Sequence, residues 1–233
     1  MLLNLFFAVL FDGERQRIMH TVVLATQKGG SGKSTLAIGL AVAAIEDEHR
    51  VAPVDTDQQG TVSNWGRRPL IECVASRIEI ERALRLAKRN GITLAVIDTP
   101  ATNNALSVSA IGAADLCLIP ARPSPADIEA ALPTLDVVRK LGKPFAFVLN
   151  QAPPRGYRPS EATVALSAAG VLASPFIVQR NDHQDALGNG FAVTEFAPQA
   201  KAAEEIRRLW QWVWEKLSVE TIDRGSRPIR ATG

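Results

Sequence analysis

The feature that most constrains this chain is the stretch Lys28-Gly29-Gly30-Ser31-Gly32-Lys33-Ser34-Thr35. It lies between a β-rich apolar run, residues 21–26 (TVVLAT), and a segment with helical apolar spacing, residues 34–45. A glycine-rich turn from strand into helix is where backbone N–H groups and a helix N-terminus can wrap a phosphate. The glycines let the backbone approach closely. Lys33 can reach the β- and γ-phosphate oxygens, and the Ser34 hydroxyl can ligate Mg²⁺. The plain alternative is a flexible turn, but a G-K-S-T set in this strand–helix context is far rarer than a stray G-K-S in a loop.

The rest of the chain repeats the strand–helix alternation. Short apolar runs at 51–55, 93–97, 116–119, 145–149 and 176–178 read as buried strands. Helical spacing predicts helices at 78–89, 104–113, 126–141, 160–169 and 200–217. Such alternation predicts an α/β, doubly wound, mostly parallel sheet flanked by helices, with ligands at the carboxyl ends of the strands. Composition agrees: 46% apolar and 21% charged residues exclude a disordered chain, and sparse aromatics (6%) suit helices packed on a buried sheet. One domain is expected over 19–217, with a flexible tail at 218–233. Residues 1–11 (MLLNLFFAVLF) are apolar but fall short of the roughly 20 residues of a membrane span. They also lack the basic region and cleavage site of a signal peptide. Met19 is therefore expected as the natural start, with 1–18 a non-native or disordered extension.

Other chemistries find little support. Cys73 and Cys117 form no C-x-x-C, and His20, His49 and His183 are scattered without H-E-x-x-H. Both cysteines are expected to be reduced. The net charge of +2 does not by itself mark a nucleic-acid binder. Residues 1–199 balance, and the excess falls in 200–233, with seven basic against five acidic residues.

The loop departs from the usual G-x-x-x-x-G-K, because Gln27 stands where the first glycine is expected and Lys28 follows it. This K-G-G-x-G-K-S/T form resembles the deviant Walker A of the ParA/MinD ATPase superfamily. Asp55-Thr56-Asp57-Gln58-Gln59 is similar to that family's second motif, and Asp98-Thr99-Pro100 to its Walker B. Residues 120–127 (PARPSPAD) resemble the proline-rich segment of small plasmid-type ParA proteins. The likeness covers about 21–215 and implies a P-loop NTPase fold.

The resemblance implies two protomers sandwiching two ATP molecules, with Mg²⁺. Lys28 would cross to the partner's phosphates, acting as an arginine finger does, while Lys33 holds the phosphates of its own protomer. Ser34 and Thr35 complete the loop. Asp57 would position the attacking water near Mg²⁺, and Asp98 would hold the metal's water shell. Asp55 stands two residues before Asp57 and either shares that role or stabilises the loop. Pro123, with Ser124 and Pro125, lies near the nucleotide and dimer face in small relatives, or forms an ordinary helix-start turn. Asn150 is a candidate adenine-reading residue, or a strand-end turn residue.

The nucleotide site leaves the output open. The stretch 219–233 cannot supply the amphipathic helix of a MinD-type membrane protein, so no membrane partner is expected. A glutaminase domain has no room, although a stand-alone cobyrinate-type amide synthase remains an alternative. The resemblance then implies sequence-independent DNA binding by the dimer, with candidate contacts at Arg180, Lys201, Arg207 and Arg208. Trp210, Trp212 and Trp214 read either as base-stacking residues or as packing on the sheet. The expected protein is a cytoplasmic, nucleoid-associated ATPase, slow until stimulated by a centromere-binding or cargo-adaptor partner. Its cargo would be plasmid or chromosome DNA, with protein-cargo positioning or transfer-DNA recruitment as alternatives.

Overall fold

A computed structural model describes residues 18–65, 72–73, 77–102 and 104–225. The expected extension at 1–18 lies outside them except for Ile18. Six parallel strands form one sheet in the order β3-β2-β4-β1-β5-β6. They are β1 (His20–Leu24), β2 (Val51–Asp55), β3 (Glu72–Cys73), β4 (Leu94–Asp98), β5 (Leu116–Ala121) and β6 (Phe145–Leu149). The helices are α1 (Lys33–Glu46), α2 (Arg77–Arg89), α3 (Ala105–Ala113), α4 (Pro125–Lys140), α5 (Arg158–Ala169), α6 (Asn181–Gly188), α7 (Val193–Phe196) and α8 (Lys201–Gly225).

The sheet is buried on both faces, which is why its strands are apolar without a break. Alternate residues serve two cores. Val22, Leu24, Val96, Leu118 and Val148 face α1 and α8, whereas Val23, Ile97, Ile119, Phe147 and Leu149 face the α2–α5 side. Helix α1 lies against both the sheet and α8, and it is buried without a break from Leu36 to Ala44. Its Gly39 makes the approach to α8 possible, since a Cβ there would meet Ile206 Cγ2 at 3.2 Å. The strand order reverses around β1, so the loop after β1 emerges at the switch point where such sheets bind ligands.

Two expectations are corrected. Residues 176–178 do not form a strand; only single bridges join Ala152 to Val178 and Phe147 to Leu172. The Ile177 and Gln179 N–H groups do donate to the Leu149 and Ala152 carbonyls at 2.9 and 2.8 Å, but the pairing stops there, and the Val178 N–H, on the side away from β6, donates to Glu205 Oε2 at 3.1 Å. The tail does not begin at 218, because α8 runs on to Gly225. No glycine or proline interrupts the chain before that point, so nothing there stops the helix. Among the helices, α6 and α7 are additions to the sequence reading.

Candidate nucleotide-binding site

The carboxyl ends of β1, β2, β4 and β6 converge on the glycine-rich loop. Asp98 accepts twice on its carbonyl, from the Thr56 N–H at 3.0 Å and the Thr56 hydroxyl at 2.7 Å. The Thr99 hydroxyl donates to the Leu24 carbonyl at 2.8 Å. These bonds lock three strand ends together below the loop. Gly32 caps α1 with φ 89, a left-handed conformation that favours glycine. A Cβ there would also collide with the Asn150 amide.

Asn150 and Gln151 hold the loop from the β6 side. The buried Asn150 Nδ2 donates to the Ser31 carbonyl at 2.7 Å, and Gln151 Nε2 to the Gly30 carbonyl at 2.9 Å. Gln151 adopts φ 52 to do so. Asn150, expected to face a base, is thus first of all a brace for the phosphate loop. Gln151 was not singled out from the sequence; only its place beside the end of a strand could have marked it.

The loop's two lysines differ. Lys33 is 6% exposed, with Nζ 3.5 Å from the Lys28 carbonyl. Burial lowers its pKa, offset in part by Asp98 and Asp57. Lys28 is half-buried on the rim, where its charge helps keep Asp127 ionised. Burial of Asp127 opposes that ionisation, but hydrogen bonds from Arg122 (2.8 Å) and Ser124 outweigh it. Ser124 caps α4, Pro125 lies in its first turn, and Pro123 sits half-buried just before.

The carboxylates divide the work. Asp55 is fully buried and spent on structure: it accepts from the Asp57 N–H at 2.9 Å, the Ser63 N–H at 2.8 Å and the Ser63 hydroxyl at 3.0 Å. It shapes the loop that carries Asp57. Asp57 accepts the Gln59 N–H on Oδ1 at 3.0 Å and is half-buried. Asp98, also fully buried, accepts the Ser34 hydroxyl on Oδ2 at 2.5 Å, while its Oδ1 has no partner among the described residues. Burial pushes its pKa up to about 7.

These residues fit Mg²⁺ and a nucleotide. An orphaned buried carboxylate oxygen is costly unless something completes it. Ser31 Oγ and Thr26 Oγ1 nearby are likewise buried and unpartnered. Cβ positions built on Gly29 and Gly30 would meet nothing, so the loop is an open cradle. Ser34 and Asp98 would hold Mg²⁺ with its waters, and Gly29–Gly32 and Lys33 the phosphates. Among the described residues no cluster of three or more His, Cys, Asp or Glu could hold a metal alone.

Beside the loop lies a cavity of about 240 Å³, lined in part by Gly32, Leu36, Asn150, Gln179 and His183. Burial lowers the pKa of His183, favouring the neutral ring, and its buried Nε2 has no partner among the described residues. No local signal in the sequence points to His183.

The four expected DNA-contact residues are not alike. Arg180 donates to Glu205 Oε1 at 2.6 Å, and Arg207 to Glu46 at 2.7 Å and to the Pro198 and Thr194 carbonyls. Arg208 faces Glu204 at 3.9 Å across an exposed pair, and Lys201 is exposed. The tryptophans pack. Trp210 is 2% exposed and stacks on Trp214, and Trp212 lies partly buried under Lys216.

A phosphate cradle at the sheet's switch point, with a buried Ser–Asp pair beneath it, defines a P-loop nucleotide-binding protein. Over residues 22–208 the chain matches the family described as CobQ/CobB/MinD/ParA nucleotide binding domain, and it belongs to that family. It is 30% identical over 208 residues to "Maintenance of carboxysome distribution protein A" of Gloeobacter kilaueensis, covering 82% of this chain and 96% of that one. It is 31% identical over 182 residues to "Protein virC1" of Rhizobium rhizogenes, covering 71% and 77%. Among solved structures it is similar to apo McdA of "Cyanthece", with a TM-score of 0.72 at 19% identity, covering 85% and 99%. Among the described residues no helix is long and apolar enough to cross a membrane.

Proposed function

We propose that the chain is a ParA-type positioning ATPase. ATP with Mg²⁺ assembles two copies face to face. The dimer binds DNA without sequence preference, and a cargo-bound partner stimulates hydrolysis and release. The observation that carries this reading is the contrast between the two loop lysines. Lys33 is buried in its own cradle, while Lys28 is half-buried, with its charge felt by Asp127. A rim cation beside a phosphate loop can neutralise charge across a dimer during phosphoryl transfer. Asp57 suits the holding of a water, because only one of its oxygens is taken up within the described residues. Hydrolysis that rests on positioning alone is slow.

Similarity to a carboxysome-distribution protein over nearly its whole length favours a protein assembly as cargo. Partition of plasmid or chromosome DNA is the second reading, supported by the ParA members of the family. Of the candidate DNA contacts, Lys201 and Arg208 are the exposed ones, while Arg180 and Arg207 are paired with Glu205 and Glu46 of this chain.

The test is retention on random-sequence duplex DNA at modest salt with ATP, with ADP and without nucleotide, for wild type and Lys28→Ala. Retention and dimerisation only for wild type with ATP are expected. An unchanged dimer fraction in Lys28→Ala rejects the sandwich. Absence of DNA binding in all three states, with ATP binding confirmed, moves the reading to an ammonia-using amide synthase.

A further inference from the structure

Helix α2 turns Ile80, Ala83 and Ala87 into the core. At about 100° per residue, the opposite ridge carries Ile78, Arg82, Arg85 and Arg89, with Leu86 beside it. All five are exposed, Ile78 at 73% and Leu86 at 46%. The described side chains of this helix hold four cations (Arg82, Arg85, Lys88, Arg89) against Glu79 and Glu81. Arg85 meets Glu81 at 3.6 Å across an exposed pair, which contributes little and yields readily to a better partner. Arg82 and Arg89 form no ion pair with a described residue.

We infer that this outer ridge of α2 docks an acidic segment of a partner protein that carries aliphatic side chains at helical spacing. Single exposed aliphatics are ordinary. Here, however, one precedes and one adjoins an arginine row on the outer side of a helix whose buried face is already filled. Their separation along the axis is about 12 Å, two turns of helix. Arginines around apolar anchors are the composition of a protein interface. A DNA backbone would use the arginines but gain nothing from Ile78 and Leu86. The surface lies on the α2–α3 side of the sheet, away from α8 and its exposed basic residues. The inference rests on the proposed function only in taking the partner to be the cargo adaptor.

The test uses the full chain and a synthetic helical peptide with Leu and Glu at helical spacing, against the same peptide with Gln for each Glu. Wild type is expected to bind the Glu peptide about tenfold more tightly. Binding should be lost in Arg82→Glu/Arg85→Glu/Arg89→Glu and in Ile78→Ser/Leu86→Ser. ATP-dependent DNA retention, measured on the same preparations, should stay as in wild type. Equal binding of the two peptides overturns the inference. So does loss of DNA retention in the arginine variant while peptide binding persists, which would assign the ridge to nucleic acid. Hydrogen exchange on unmodified protein gives a readout free of folding effects. The peptide should slow exchange in 78–89, and protection confined elsewhere overturns the inference. Peptide binding is read with and without nucleotide, so failure of the ATPase reading is seen separately.

Discussion

The two ends of the sheet are built on opposite rules. At the carboxyl end, polar atoms are buried and left incomplete: Asp98 Oδ1, Ser31 Oγ and Thr26 Oγ1 have no partner among the described residues. At the amino end, polar and aromatic groups complete one another. Trp210 Nε1 donates to Asp47 at 3.0 Å, and His49 Nδ1 meets the Thr93 hydroxyl at 3.2 Å. Trp214 sits edge-on to both His20 and His49. A satisfied network lowers the free energy of the fold by itself. An unsatisfied one raises it until a ligand arrives. The contrast separates the residues that hold the molecule together from those that hold something else.

Substitutions can break that division. The largest effect is expected at the amino end. Trp210→Ala should cost about 4 kcal/mol of stability by opening a cavity in the α1–α8 core. Urea unfolding should show it, with nucleotide affinity of the folded protein unchanged; a large loss of affinity would mean that the two ends are coupled. At the carboxyl end Lys33→Ala should weaken ATP binding about 100-fold, the scale of losing charge-assisted bonds to phosphate. It should leave the melting temperature unchanged or higher, since the lysine is buried and its charged form is disfavoured there.

Asp98 gives a pH test. Its folded pKa, about 7, lies above the ordinary 3.8, so folding takes up a proton at this carboxyl between those values. Without ligand, its contribution to stability is greatest below pH 3.8, falls as pH rises toward about 7, and is flat above. Asp98→Asn should therefore stabilise the ligand-free protein by about 4 kcal/mol at pH 8 and leave it nearly unchanged at pH 4. A variant less stable than wild type at pH 8 would show that the carboxylate is structural. The smallest effect is expected for Asn150→Ala, which removes the brace on the Ser31 carbonyl. Stability should fall by about 1 kcal/mol and ATP affinity by about fivefold. A loss confined to adenine over guanine nucleotides would instead make Asn150 a base reader.

Most of the fold was legible because it rests on local chemistry. The apolar runs gave β2 and β6 with their ends, and the 3.6-residue stripe of α8 (Ala202, Ile206, Leu209, Val213, Leu217) is buried as its spacing predicts. The run at 176–178 misled because apolar character reports burial, while a strand also needs a continuous ladder, and here the pairing is limited to a single bridge beyond the end of β6. The two alternatives for Asp55 could not be separated by spacing alone. Its partners at Ser63 decide for the loop.

The sequence by itself determined the phosphate loop, the parallel sheet around it and the motifs at the strand ends. Each depends on neighbours a few residues apart, where glycine, lysine and β-branched side chains act directly on the backbone. Only the tertiary structure decided which charges are free. Arg180 and Glu205, or Arg207 and Glu46, lie far apart in the chain and cancel only once α8 packs beside α6 and α1. Charge pairing acts through space, and a linear order of residues does not contain it.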